Sequence, residues 1–244
     1  SLSEREEQPE AYNQTYKANT VSGYVGTRLA GLGADDAYAD YTCIGIYGLS
    51  DAAEQRWSDE LLALTGIPRE KLPRVVRPWD VIGELTREAA SECGLAPGTP
   101  IAAGLGDAIA GWIGVGAVDR GILVDTSGTS NHLAFCVDDF RPDLGQRALS
   151  HYPSAIPGMW YAIGYTGGTG RSHTWFINEF CLTPQERTAQ DRRPIYARLD
   201  AGAATVPPGS EGLIHIPHLI GRVCPHQPNV RGAWLGFTWK HTRD

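Results

Sequence analysis

Residues 99–137 constrain the fold more than any other stretch, because three different apolar patterns follow one another there without a gap. The apolar run at 99–105 predicts a buried strand that ends in a sharp, glycine-containing turn. The run at 108–118 predicts a glycine-rich helix. Two β-rich segments, 122–126 and 131–137, are joined by a short Ser-Gly-Thr turn and predict a hairpin. This stretch therefore predicts a strand, a turn, a helix and a hairpin in succession.

Asp107 stands between the predicted strand and the predicted helix, at the position of a helix N-cap. Backbone N–H groups and the helix dipole stabilise a carboxylate anion at such a position. A carboxylate held there can orient a hydroxyl group and accept its proton. The alternative is a plain N-cap without chemistry, and the residue type alone leaves both interpretations open.

The hairpin turn is a candidate phosphate site. Ser127, Gly128 and Thr129 offer hydroxyl groups and backbone N–H groups at one turn, which is the composition of an anion-binding nest. An ordinary turn is the alternative.

A second glycine-rich turn lies further along the chain. Gly167, Gly168 and Gly170 follow a strand predicted over 159–165 and precede a helix predicted over 172–180. A glycine-rich turn that opens a helix can bind an anion at the helix N-terminus. The turn fits neither the Walker pattern nor G-x-G-x-x-G, and a packing turn is the alternative.

Helices are also predicted before the central stretch. Apolar spacing indicates a helix over 14–30 and a shorter one over 57–64. Thr86 predicts the N-cap of a third helix, and Gly94 predicts its end. Residues 183–210 are polar and are predicted to form a loop.

Two groups of side chains raise the question of a metal site. Asp35, Asp36 and Asp40 lie close together, but a solvated polar loop is the favoured interpretation. A second group has zinc-ligand residue types, but its spacing is interrupted by prolines and matches no closed structural site. This group consists of His215, His218, Cys224 and His226. No metal ligand is therefore assigned.

Composition narrows the classes of partner. The net charge of −7 argues against non-specific nucleic-acid binding. Residues 1–119 carry an excess of acidic groups and residues 120–244 a small excess of basic ones, so the second half suits an anionic ligand better. The apolar window 101–118 contains Asp107, which argues against a membrane span. Five scattered cysteines and a polar start without a signal peptide favour reduced thiols and a cytoplasmic location.

Taken together, these motifs resemble the FGGY family of carbohydrate kinases. GLGDAIAG at 104–111 is similar to the family's stretch with the catalytic Asp, which falls on Asp107. DTSGTS at 125–130 resembles its second phosphate loop, with the Gly-Thr pair at 128–129. GGTGRSHTW at 167–175 resembles the loop whose nucleotide-contacting glycine falls on Gly170. The segments 57–75 and 211–238 fit the family's connecting signatures.

This resemblance implies an α/β fold of the actin-like ATPase (ribonuclease H-like) type, with parts of two domains around a hinge. Residues 1–119 would be the C-terminal portion of the sugar-side domain, and residues 120–244 the N-terminal portion of the nucleotide-side domain. The family's first phosphate loop, Asp-x-Gly-Thr, and its Gly-Gly adenosine motif are not found in this sequence. The chain is therefore expected to be an internal fragment, weakly active or inactive by itself.

The implied reaction is transfer of the γ-phosphoryl group of ATP, with Mg²⁺, to a sugar hydroxyl. Asp107 would orient that hydroxyl, and the two glycine turns would hold the phosphates. Ala108 occupies a position at which related kinases carry a polar sugar contact, and its side chain cannot bond a hydroxyl. Segments such as GAWLGFTWKHTR are similar to the xylulokinase-like branch, which implies a ketopentose such as xylulose, with ribulose, other ketoses and glycerol left open.

Two rival functions stay open on the sequence. One is a non-catalytic actin-like module that binds a sugar or a partner and regulates it. The other is a ketose-binding protein that uses no nucleotide. The expected partners are a sugar and ATP, without nucleic acid or membrane, and a homodimer is left open.

Overall fold

The computed structural model describes residues 2–188 and 190–242. The chain forms two compact units, and each unit is built from three separate segments of the sequence. Unit 1 consists of Ser1–Leu123, Phe135–Arg141 and His151–Ala162, and unit 2 of Val124–Ala134, Pro142–Ser150 and Ile163–Asp244.

Unit 1 contains six α-helices and three two-stranded sheets among its described residues. The strands β1 and β4 pair in parallel, with Tyr38 opposite Arg74, whereas β2 with β3 and β5 with β6 pair antiparallel. The helices are α1 (Leu2–Glu7), α2 (Pro9–Gln14), α3 (Val21–Leu29), α4 (Asp59–Thr65), α5 (Arg87–Cys93) and α6 (Asp107–Gly114). The strands are β1 (Tyr38–Asp40), β2 (Ser50–Asp51), β3 (Arg56–Trp57), β4 (Arg74–Val76), β5 (Val81–Glu84) and β6 (Pro100–Ala102).

The core of unit 1 is built around Trp57. Its side chain is 1% exposed, its ring meets Tyr47 edge-on at 5.0 Å, and its Nε1–H donates to the Pro73 carbonyl over 2.8 Å. A buried indole N–H needs such a partner, because an unpaired one would lose its hydrogen bond to water. Apolar side chains from β1, α4 and the flanking turns complete this core: Ala39, Tyr41, Ile44, Leu49, Leu62 and Leu72.

A four-stranded sheet follows along the chain, in the strand order β7-β8-β10-β9. These strands are β7 (Leu123–Ser127), β8 (Asn131–Val137), β9 (Leu149–Pro153) and β10 (Trp160–Thr166). The predicted hairpin and the predicted strand at 159–165 are thus confirmed. The remaining elements are α7 (Thr169–Phe176), α8 (Pro184–Arg187), α9 (Arg193–Ala203), β11 (Ile214–Ile216) and β12 (Ala233–Leu235).

Local capping signals predicted the third helix correctly. The Thr86 hydroxyl accepts the Ala89 N–H, and Gly94 ends α5 with a φ of 68°. Such a left-handed conformation is easily adopted by glycine, which has no Cβ to clash. The helix predicted over 57–64 also forms, but it begins at Asp59 because the Ser58 side chain caps it.

Three predictions of secondary structure were wrong, wholly or in part. The helix expected over 14–30 is interrupted: α2 ends at Gln14, and α3 begins only at Val21 after a cap by Thr20. The loop expected over 183–210 contains α8 and α9. Strand β6 forms within the predicted 99–105 run, but it spans only Pro100–Ala102, and none of these three residues is buried.

Asp40 contradicts the expectation of a solvated acidic loop. Asp35 and Asp36 are exposed, but Asp40 ends β1 and is 3% exposed. The parallel pairing of β1 with β4 draws it into the core, and this pairing joins segments distant in sequence. Local composition therefore could not indicate the burial of Asp40.

Candidate functional site

Asp107 is the first residue of α6, not its N-cap. The N-cap is Gly106, and the Asp107 side chain instead accepts the N–H of Ala108 through Oδ1 over 2.8 Å. Asp107 and Ala108 are both exposed. Within the described part of the chain, Oδ2 of Asp107 has no hydrogen-bond partner, so this oxygen can accept a hydrogen bond from the hydroxyl group of a ligand. Asp107 therefore lies one position further into the helix than the sequence predicted, still within its first turn.

The helix that carries Asp107 is fixed by its apolar side. Ile109 and Trp112 are buried, and the Trp112 ring meets Tyr161 at 4.9 Å. The Tyr161 hydroxyl in turn donates to the Ala117 carbonyl just beyond the helix, over 2.8 Å. Because this face is packed, the opposite face with Asp107 is held toward solvent.

The turn before α6 is bonded to the end of β1. The Gly106 N–H donates to the Thr42 hydroxyl over 2.9 Å, and this hydroxyl bonds the buried carboxylate of Asp40. Burial, together with the charge of Asp40, raises the pKa of the neighbouring Cys43 thiol to about 12. Cys43 is therefore not a nucleophile at neutral pH. No local pattern predicted this arrangement, since these residues are far from Gly106 along the chain.

The hairpin turn between β7 and β8 uses part of its polar groups internally. The Gly128 N–H donates to the Ser130 carbonyl over 2.8 Å, so it is not free for a ligand. The Ser127 hydroxyl donates to Asp125 over 2.8 Å, and the Asn131 amide bonds both Asp125 and Ser127 over 2.7 Å. Asn131, which the sequence did not single out, thus stiffens the turn that holds Thr129 in place.

Gly170 lies directly against this hairpin turn. Its N–H donates to the Gly128 carbonyl over 3.1 Å, and the N–H of Arg171 points at the Thr129 carbonyl over 3.5 Å. A Cβ at Gly170 would lie 2.1 Å from the Gly128 oxygen, so only glycine permits this approach. The structure therefore brings together two of the predicted anion-binding segments, both within unit 2.

These two segments form the floor of an open cleft of about 440 Å³. One end is the N-terminal turn of α7, whose dipole favours an anion, although the N–H groups of Gly170 and Arg171 are already bonded to the hairpin turn. The cleft is lined by Gly128, Thr129, Gly170, Arg171, Thr174, Trp175 and Asn178.

Gly167 and Gly168 do not line this cleft. Both are buried, and a Cβ at Gly167 would meet Ile220 and Val223 at ordinary contact distances. Gly168 is the N-cap of α7 with a φ of 80°, and its carbonyl accepts the Ser172 hydroxyl over 2.7 Å. In this structure these two glycines shape and pack the turn.

Arg171 is a cleft residue that the sequence did not single out. It is exposed in the first turn of α7, where no acidic residue is present. A cation at a helix N-terminus is unfavourable by itself, because it adds to the positive end of the dipole. A bound anion would reverse this effect. The detectable signal was a basic residue directly after a glycine-rich turn.

In the group formed by His215, His218, Cys224 and His226, one histidine packs against an aromatic ring. His215 stacks on Trp234 with ring centroids 4.3 Å apart, and burial lowers its pKa. Among the residues that the structure describes, no three His, Cys, Asp or Glu side chains are grouped to hold a metal ion. No helix in the described ranges is both long and apolar enough to cross a bilayer.

Comparison with known proteins points to one family. Residues 5–114 match the N-terminal domain of the FGGY family of carbohydrate kinases. Gluconokinase from Bacillus subtilis is 27% identical over 206 residues, which cover 84% of this chain and 40% of that protein. Autoinducer-2 kinase from Yersinia enterocolitica is 32% identical over 215 residues, which cover 85% of this chain and 38% of that protein.

Solved structures agree with these sequence matches. The ligand-bound xylulose kinase from Lactobacillus acidophilus has a TM-score of 0.81 at 27% identity, and the gluconate kinase from the same organism has a TM-score of 0.82 at 27% identity. In both comparisons 99% of this chain covers 46% of the solved chain. The chain therefore spans less than half the length of each of these proteins.

Proposed function

Because residues 5–114 belong to the N-terminal domain of the FGGY family of carbohydrate kinases, and the chain has the actin-like ATPase fold of its members, we propose that it carries out part of a sugar kinase reaction. In this reaction ATP phosphorylates a sugar hydroxyl. The observation that carries the proposal is the contact between Gly170 and Gly128, which unites a hairpin turn and a helix N-terminus in one cleft beside Arg171.

Asp107 is proposed to act on the sugar hydroxyl. Its Oδ1 is held by the Ala108 N–H, and its Oδ2 can accept the hydrogen bond of the attacking hydroxyl. The hydroxyl oxygen forms a bond to the γ-phosphorus as the bond to the β,γ-bridging oxygen breaks and ADP leaves. Asp107 takes the hydroxyl proton late in this step. A carboxylate of ordinary basicity is sufficient for such a late transfer.

The cleft is proposed to hold the phosphates of ATP. The Thr129 hydroxyl has no protein partner in the described ranges and can donate to a phosphate oxygen. The first turn of α7 and the Arg171 guanidinium add positive charge to the same cleft. Ser127 supports the turn through its bond to Asp125.

Mg²⁺ is proposed to enter with ATP and to neutralise charge on the phosphate oxygens. Mg²⁺ commonly binds through one or two carboxylates together with substrate phosphates. Since the described residues form no dedicated group of metal ligands, the phosphates would supply most of the coordination.

A ketopentose such as xylulose is the proposed substrate, and gluconate is the nearest competitor. The L. acidophilus xylulose kinase and gluconate kinase are equally identical to this chain, so overall similarity does not separate the two. Ala108, which cannot bond a hydroxyl, leaves sugar recognition to other residues. A panel of D-xylulose, ribulose, gluconate and glycerol, assayed for sugar-dependent ADP release, identifies the substrate.

The nucleotide cleft is tested by titration calorimetry with ATP. Arg171→Gln should weaken ATP binding by about tenfold, the loss of roughly one charge-assisted hydrogen bond. Arg193→Gln is the matched control, because Arg193 is an exposed arginine of unit 2 that pairs with Asp191 outside the cleft. Equal ATP affinities of the two variants would show that the phosphates of ATP do not bind in this cleft.

A further inference from the structure

Asp40 is a buried carboxylate that the proposed reaction does not use directly. It is 3% exposed, and it accepts the Thr42 N–H over 2.9 Å as well as the Thr42 hydroxyl. Burying a carboxylate is costly even when it is hydrogen-bonded, and an apolar residue would be the cheaper choice for a core position. We therefore expect Asp40 to serve a role other than packing the core.

The hydrogen bonds around Thr42 have a fixed direction. The Thr42 hydroxyl has a single proton, and it donates this proton to the Asp40 carboxyl oxygen. A lone pair of the Thr42 hydroxyl oxygen then faces the Gly106 N–H, which donates to it over 2.9 Å. A hydroxyl polarised by a carboxylate is a stronger acceptor than a free one. Thr42 itself is 4% exposed, so water does not compete for these bonds.

The acceptor end of this chain of bonds is the residue before Asp107. Gly106 is the N-cap of α6, and its position determines where the first turn of the helix begins. The Asp107 carboxylate is held in turn by the N–H of Ala108, in that same first turn. The orientation of Asp107 therefore depends on where the Gly106 N–H is held.

We propose that Asp40 and Thr42 are positioning residues, which fix the N-terminus of α6 through the Gly106 N–H and thereby aim the Asp107 carboxylate at the sugar hydroxyl. This inference rests on the proposed kinase function. Asp40 and Thr42 touch neither the sugar nor ATP in it, and act only through Gly106 and Asp107.

The test compares two substitutions of Thr42 in the intact gene product. Thr42→Val keeps the shape but removes the hydroxyl, whereas Thr42→Ser keeps the hydroxyl. Thr42→Val should lower kcat by about tenfold or more and leave the KM for ATP within about twofold, as expected for a misplaced catalytic group. Thr42→Ser should restore most of kcat.

A matched control separates positioning from loss of a buried hydroxyl. Thr27 is 6% exposed, and its hydroxyl donates to the Gly23 carbonyl over 2.6 Å within α3. Thr27→Val should therefore lower stability without lowering kcat. In the Asp107→Asn background, Thr42→Val should cause no further loss, because the group that it positions is already gone.

The outcomes distinguish this inference from the proposed function. A wild-type protein without sugar-dependent ADP release overturns both. If wild type is active but Thr42→Val has the same kcat as Thr27→Val, the inference alone is overturned. The same holds if the loss of kcat caused by Thr42→Val adds to the loss caused by Asp107→Asn in the double variant. If Thr42→Val does not fold, amide hydrogen exchange of the peptide spanning 104–112 is measured in Asp40→Asn instead. Faster exchange of this peptide than in wild type supports the inference, and unchanged exchange overturns it.

Discussion

Substitution of Gly170 tests whether the hairpin turn and the helix N-terminus must touch. A Cβ at this position would lie 2.1 Å from the Gly128 carbonyl oxygen and 3.0 Å from its carbon. Ordinary contacts begin near 3.4 Å, so in Gly170→Ala the two backbones must separate by about 1 Å. Both atoms at Gly128 are backbone, so no side chain can rotate away to relieve the clash.

The separation has two expected effects. The bond from the Gly170 N–H to the Gly128 carbonyl, 3.1 Å long, would be lost, and overpacking of this kind lowers the free energy of unfolding by about 1–3 kcal/mol. A displacement of about 1 Å at a phosphate site should lower kcat/KM for ATP by about 100-fold. The value of kcat/KM should therefore fall much more than stability alone explains.

The assay combines urea unfolding with steady-state kinetics in ATP. Gly202→Ala is the control, because Gly202 lies in α9 of the same unit with nothing within 4 Å of an added Cβ. A glycine-to-alanine change at such a helix position stabilises by about 0.5–1 kcal/mol. If Gly170→Ala behaves like Gly202→Ala in both measurements, the close approach of Gly170 to Gly128 has no functional importance.

Further predictions concern the core of unit 1. Burial raises the pKa of Cys43 from 9.0 to about 12, so iodoacetamide at pH about 8.5 should label exposed Cys93 and leave Cys43 unmodified in peptide maps; equal labelling would contradict the burial. The unfolded chain releases this thiol proton near pH 9.0 and the folded chain only near 12, so urea stability should fall as pH rises across that window, and less so in Cys43→Ala. Trp57→Phe leaves the Pro73 carbonyl unpaired and should cost about 1–3 kcal/mol in urea unfolding, whereas Trp239→Phe, on a fully exposed side chain, should change stability by less than about 0.5 kcal/mol.

Local signals predicted the elements whose ends are set by their own residues. Thr86 and Gly94 bound α5 because a hydroxyl cap and a left-handed glycine act within one turn. The β7–β8 hairpin was predicted for the same reason, since its turn residues are contiguous. The prediction of one helix over 14–30 was wrong because the apolar spacing runs on both sides of Thr20. It therefore did not indicate that Thr20 caps a new helix.

Contacts between distant segments could not be predicted from local pattern. Asp40 is buried by the pairing of β1 with β4, and the sequence around it is acidic and polar. The sequence predicted Gly128 and Gly170 separately as parts of anion-binding turns, but their contact follows from the fold of unit 2. The roles of Asp107, Thr129 and Gly170 in the reaction remain predictions for experiment.

The proposed role of Asp107 is tested by measuring sugar-dependent ADP release by the intact gene product in wild type, Asp107→Asn and Asp36→Asn. Asp36 is an exposed carboxylate of the same unit, outside the proposed site. This role predicts that wild type and Asp36→Asn release ADP with at least one sugar of the panel, and that Asp107→Asn loses this release while staying folded. Release by Asp107→Asn at the wild-type rate, or no release by a folded wild type with any sugar, would contradict it.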